Sequence, residues 1–166
     1  MSKKLDMQQQ INRLQDNLHS IRKIAGWTAE DLGNKIGVTK QTISNIENHK
    51  VKLNQTQYIA IRAVLEYEIK CNPENTKLLE QVIYLLLDCE EEKEKTKEIK
   101  NKVDTIAATA SGGASKDQIS IVSEVLLNSI EGIEKITSNM IERPIKNPLS
   151  IFSWLGYMDK NDEERF

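Results

Sequence analysis

The residues best suited to recognition chemistry are Lys40, Gln41, Thr42, Ser44 and Asn45, inside the stretch Thr28 to Lys50, TAEDLGNKIGVTKQTISNIENHK. Ile43 and Ile46 recur at three-residue spacing beside Val38, so a helix here buries the isoleucines and turns those polar side chains outward. Ammonium, amide and hydroxyl groups on one short exposed helix can exchange hydrogen bonds with base edges in a DNA major groove. A partner helix must hold it in place. Thr28, with Asp31 three residues on, caps a helix that carries Leu32 and Ile36 on one face and stops at Gly37; Thr39 then caps the second.

Other chemistry finds less support. His19 and His49 have no His or Cys neighbour at ligand spacing, and Cys71 and Cys89 lack metal-ligand spacing, so no metal or cofactor is expected. Two cysteines are too few for a disulfide framework, and no apolar signal segment follows Met1, which makes a reducing cytoplasm the expected compartment. Without a phosphate-binding Gly loop, a nucleophile constellation or a paired-carboxylate motif, no enzyme is expected. The longest apolar cluster, Val82 to Leu87, is too short to span a membrane. The net charge of −2 hides an asymmetry that matters for phosphate. Residues 1–70 hold 11 Lys and Arg against 7 Asp and Glu, or +4; residues 71–166 hold 12 against 18, or −6. Only the first half invites a polyanion.

Aromatics at 5%, few Gly and Pro, and abundant Leu, Ile, Glu, Lys, Gln and Asn predict an all-α protein. Met7, Ile11, Leu14, Leu18 and Ile21 predict a first helix that starts after Asp6 and ends by Gly26. After the recognition segment, Asn54 caps a helix with Ile59, Ile61, Val64, Leu65 and Ile69 at its apolar positions, and Asn72-Pro73 breaks it. A first domain over residues 1–72 follows.

Residues 73–166 read as a separate helical region. Leu78, Val82, Leu85, Cys89, Glu92, Thr96, Ile99, Val103, Ile106 and Ala110 alternate four- and three-residue steps, a heptad seam that predicts one long helix over 73–110, weakened by its two polar positions. Its middle suits a solvated helix as well as a paired one, and Cys89 suits core packing or a disulfide across a dimer axis. Small residues over 111–116 form a hinge. A helix over 117–143 carries a broad stripe of Ile119, Val122, Leu126, Ile130, Ile133, Thr137 and Met140, widened by Ile121, Val125 and Ile136. Such a stripe needs a partner, either the preceding helix in a hairpin or a second subunit in a dimerisation bundle. Pro144 and Pro148 end it, and an aromatic tail over 144–166 concentrates apolar residues from Leu149 to Met158, a patch that caps a core or meets a protein partner.

Over about residues 14–68 the sequence resembles the helix-turn-helix regulators of the Cro, Xre and lambda-repressor-like family. Ile36-Gly37-Val38-Thr39, then Thr42-Ile43-Ser44, Ile46-Glu47-Asn48 and Lys50 carry the resemblance. It implies that Thr39, Lys40, Gln41 and Asn45 contact bases, and that Thr42 and Ser44 reach bases or phosphates. Gln and Asn pair with adenine and Lys with guanine acceptors, which agrees with those roles. Thr28, Asn48, His49, Lys50 and Lys52 are the remaining implied phosphate or mixed contacts, and Arg22 and Glu47 match the family's structural ion pair. The sequence departs from the family at Ala29, where a phosphate-binding Gln is frequent, at His49, where Gly is frequent, and at Trp27, where a smaller apolar residue is usual.

Together these features predict a sequence-specific double-stranded DNA-binding transcription regulator, a repressor acting as a homodimer through residues 73–166 on an inverted-repeat operator. The alternative is a protein-interaction regulator, antitoxin- or antirepressor-like, working through the C-terminal helices and aromatic tail.

Overall fold

Side-chain caps set the N-terminal helix boundaries where the sequence places them. In the structure, a computed structural model describing residues 6–89 and 91–141, Asp6 and Gln9 form a reciprocal capping box that starts α1, Met7–Ile24. Thr28 and Asp31 do the same for α2, Ala29–Ile36, and Asn54 and Gln57 for α4, Gln55–Cys71. Between them, Thr39 caps α3, Lys40–Glu47, by accepting from the Thr42 amide. Each cap satisfies backbone N–H groups that the helix leaves without partners. Leu14, Leu18 and Ile21 of α1, Leu32 of α2, Ile43 and Ile46 of α3, and Tyr58, Ile61 and Leu65 of α4 close over one another at 0–2% exposure.

The single helix expected over 73–110 is interrupted, and two α-helices take its place. α5, Lys77–Ile83, runs into a π-helical segment, Tyr84–Asp88, in which Cys89 N donates to Tyr84 O at 2.8 Å. Cys89 is extended, and α6 begins only at Lys93. Two arginines hold this change of direction. Arg62 Nη2 donates to both Asp88 carboxylate oxygens at 2.7 Å, and Arg13 Nη1 donates to Cys89 O at 2.7 Å. Tyr84, Leu85, Leu86 and Leu87 are all buried, so the segment is enclosed on more than one side, with α1, α5 and α6 as neighbours.

α6, Lys93–Ser111, therefore returns along the chain and packs on α1. Ile99, Val103 and Ile106 of the heptad seam are 0–1% exposed inside this contact. Polar bonds fix its register: Ser20 Oγ donates to Asp104 Oδ1 at 2.6 Å, and Lys100 Nζ donates to Asp16 O at 2.9 Å and Asn17 Oδ1 at 3.0 Å. Val82, Leu85, Cys89, Ile99, Val103 and Ile106 of the seam are buried within one chain, while Leu78 and Ala110 are half-buried.

Gly113, at φ 81, lets the chain reverse into α7, Lys116–Asn128, which Ser115 and Gln118 cap, and α6 and α7 pack as a helical hairpin. The helix expected over 117–143 is also interrupted. Gly132, at φ 76, lies in the turn that separates α7 from α8, Ile133–Ile141. One hydrophobic cluster runs from Ile11 to Ile136, so the boundary expected near residue 72 is a turn between α4 and α5 across a continuous core. No strand occurs among the described residues, and no described helix is long and apolar enough to cross a membrane. The aromatic tail, with its apolar patch Leu149 to Met158, lies outside the described residues.

Candidate nucleic-acid interface

The pairing of α2 with α3 depends on how closely their backbones approach. Gly37 ends α2 in the left-handed conformation at φ 76, and Val38 N donates to Gly33 O at 2.9 Å. A Cβ on Gly33 would lie 2.6 Å from Val38 O, so only glycine fits against the turn. With Ile43 and Ile46 fully buried, the opposite face of α3 is set outward.

On that face Thr39, Lys40 and Gln41 are exposed, and Thr42, Ser44 and Asn45 are half-buried. Gln41 Nε2 donates to Asn45 Oδ1 at 2.9 Å, joining two of the residues expected to read bases. Gln41 keeps its Oε1 and a second Nε2 hydrogen for a base, and Asn45 keeps its amide donors. The hydroxyls of Thr39 and Thr42 lie 2.9 Å apart, and Asn48 Nδ2 donates to Ser44 O at 2.8 Å. At the start of α2, the Asp31 carboxylate accepts from the Thr28 amide and hydroxyl, both at 2.7 Å, and the hydroxyl bond leads the causes that lower the Asp31 pKa. A phosphate bound at Thr28 would have to displace that carboxylate.

The chain leaves α3 through His49, which takes the left-handed region at φ 55 without being glycine. The expected departure at this turn is thus one of residue type, with the glycine-like backbone kept at a steric cost. His49 Nε2 lies 3.7 Å from Asp16 Oδ1, and Asn48, His49, Lys50 and Lys52 are all exposed. Gln15, only 8% exposed, spans the exit: its Nε2 donates to Ile46 O at 3.0 Å and Val51 O at 2.8 Å, and its Oε1 accepts from Leu53 N at 3.0 Å.

Arg22 and Glu47 form a two-bond ion pair, Nε to Oε1 at 2.6 Å and Nη2 to Oε2 at 2.9 Å, with both side chains 6–7% exposed. Arg22 Nη1 also donates to Trp27 O at 2.8 Å, and His19 Nδ1 lies 3.1 Å from Glu47 Oε2. Burial by itself raises the Glu47 pKa; the Arg22 and His19 hydrogen bonds and the Arg22 charge outweigh it and hold the carboxyl below its ordinary value.

Residues 18–70 match the family model described as helix-turn-helix, of the Cro and C1 type. This segment is a helix-turn-helix domain. No curated protein and no solved structure matches the chain. The helix-turn-helix domain is a DNA-binding, transcription-regulating one, and α5 to α8 lie beyond the match. Within it, the departures have local accommodations. The Lys35 ammonium lies 4.7 Å from the centre of the Trp27 ring, a cation–π contact, and Ala29 is half-buried against the core. Gly33 and Gln15 are positioning residues that lie outside the stretch Ile36 to Lys50. A glycine inside a helical pattern is a usable signal for the first; nothing local marks the second, since its partners are more than thirty residues away.

Proposed function

We propose that the protein is a sequence-specific double-stranded DNA-binding transcription regulator, a homodimeric repressor that presents one α3 per subunit to an inverted-repeat operator. The observation that carries this reading is the Gln41–Asn45 hydrogen bond on a helix whose inner face is fully buried. It presents two amide side chains as one ordered unit, and ordered amides are the groups that pair bidentately with adenine. Thr39 and Lys40, at the N-terminal end of α3, join them at base edges. Thr42 and Ser44 serve bases or phosphates, and Asn48, His49, Lys50 and Lys52 hold the backbone and set register. Two-fold symmetry of the dimer, made through residues 73–166, selects two half-sites, and an occupied operator excludes polymerase.

Selection from random duplexes with the full chain tests the reading. An enriched inverted repeat is expected, with affinity falling steeply as salt rises. Absence of any enriched sequence would reject it.

A further inference from the structure

Lys52 is bracketed by two backbone groups that bond to one side chain. Val51 O accepts from Gln15 Nε2 at 2.8 Å, and Leu53 N donates to Gln15 Oε1 at 3.0 Å, so the peptides on both sides of Lys52 are held by the same carboxamide. Gln15 is 8% exposed and precedes the helix-turn-helix domain, residues 18–70. We propose that Gln15 is a positioning residue for DNA binding, which fixes the Lys52 backbone relative to α3 and so aims the Lys52 ammonium at its phosphate. The inference rests on the DNA-binding reading of the proposed function and deepens it by naming what delivers one of its phosphate contacts.

A third bond supplies the reference point. Gln15 Nε2 also donates to Ile46 O, in the last turn of α3, at 3.0 Å. One planar group thus joins the end of α3 to both peptides of Lys52, with both Nε2 hydrogens and an Oε1 lone pair in use. As far as Val51 the exit is held by α3 itself: His49 N donates to Ile46 O at 3.1 Å, and Lys50 N and Val51 N donate to Asn45 O at 2.9 and 3.3 Å. Past that point Gln15 takes over. Leu53, 4% exposed, then anchors the chain in the core before Asn54 caps α4, while Lys52 stays exposed between these ties.

A lysine carried on a shifting backbone has to be ordered when it binds, which subtracts from its phosphate contact. Holding both flanking peptides removes the backbone part of that cost. The carboxamide suits the task because it offers two donors and an acceptor in one plane; a methionine of similar length offers none of the three bonds.

Binding of the full chain to a selected duplex over a salt series, with the folded fraction measured at each salt, tests the role. The slope of log K against log salt reads the phosphates neutralised per bound chain, so a loss of folded fraction, once corrected, leaves it unchanged. Gln15→Met is expected to weaken all sequences alike and to reduce the slope by about 1, as Lys52→Ala does. Added to Lys52→Ala, it should change the slope no further. Gln15→Asn, which keeps the amide but withdraws it by one methylene, should shift the slope in the same direction, and it carries the test should Gln15→Met not fold. A wild-type slope in these variants would overturn the positioning role, as would a slope change that persists in full in the Lys52→Ala background. A wild type that binds no duplex in a salt-dependent way would overturn the DNA-binding reading itself.

Discussion

Arg22 and Glu47 join the first helix to the end of the third through two short hydrogen bonds in a nearly dry site, 2.6 and 2.9 Å long. α3 is thereby tied at its C-terminal end by charge and along its inner face by Ile43 and Ile46. Removing one partner leaves the other charge buried and uncompensated, so Arg22→Met or Glu47→Gln is expected to cost about 3–5 kcal/mol. The double variant R22M/E47Q should cost less than the sum. Urea unfolding of the four proteins of the cycle measures this; additive losses would show the pair is not coupled.

The same carboxyl predicts an acid-sensitive fold. Its folded pKa lies below its unfolded value of 4.5, so its contribution is fully present above that value and disappears as pH falls through the lower folded one. Stability measured from neutral pH down to pH 3 should decline more steeply in wild type than in Glu47→Gln. Parallel curves would contradict the assignment.

Gln41 and Asn45 share a hydrogen bond, so their base preferences are expected to be coupled. Each alanine substitution should reduce discrimination by about 1–3 kcal/mol, and the double variant should lose less than the sum. Lys52→Ala should instead weaken all sequences alike and reduce the salt slope by about 1. Binding to selected and scrambled duplexes over a salt series separates these outcomes.

His49 holds a left-handed backbone at φ 55, where a Cβ is costly. His49→Gly is expected to relieve about 1 kcal/mol of strain, partly offset by the glycine's greater freedom in the unfolded chain. Gly33→Ala acts oppositely, because the new Cβ would meet Val38 O at 2.6 Å, and should destabilise by about 1–3 kcal/mol. Denaturation midpoints of both variants check the signs.

Ile106 is fully buried in a core shared by α6 and α1. Ile106→Ala is expected to cost about 2–5 kcal/mol. Hydrogen exchange should show the loss at amides of α1 and α3 as well as α6, since one core serves both halves. Faster exchange confined to α6 would mean that the helix-turn-helix domain folds independently of it.

Sequence and structure divide along the range of the interactions involved. Caps at Asp6, Thr28, Thr39 and Asn54 depend on partners three residues away, so residue types alone set where those helices begin. Gly37 and the Ile43–Ile46 spacing are equally local, and they suffice to turn Lys40, Gln41 and Asn45 outward. A heptad pattern, by contrast, states which residues require burial and leaves their partner open. Ile99, Val103 and Ile106 are buried on α6, whose neighbours are α1, α7 and the π-helical segment, and Arg62 and Arg13 hold the chain at Asp88 and Cys89 before α6 packs on the first helix. The clamp of Gln15 on Ile46, Val51 and Leu53 belongs to the same class. Local spacing determined the outward face of α3; only tertiary contacts between residues distant in sequence decided what holds its exit and which face of the C-terminal helices remains open, because burial is a property of the assembled surfaces rather than of any one segment.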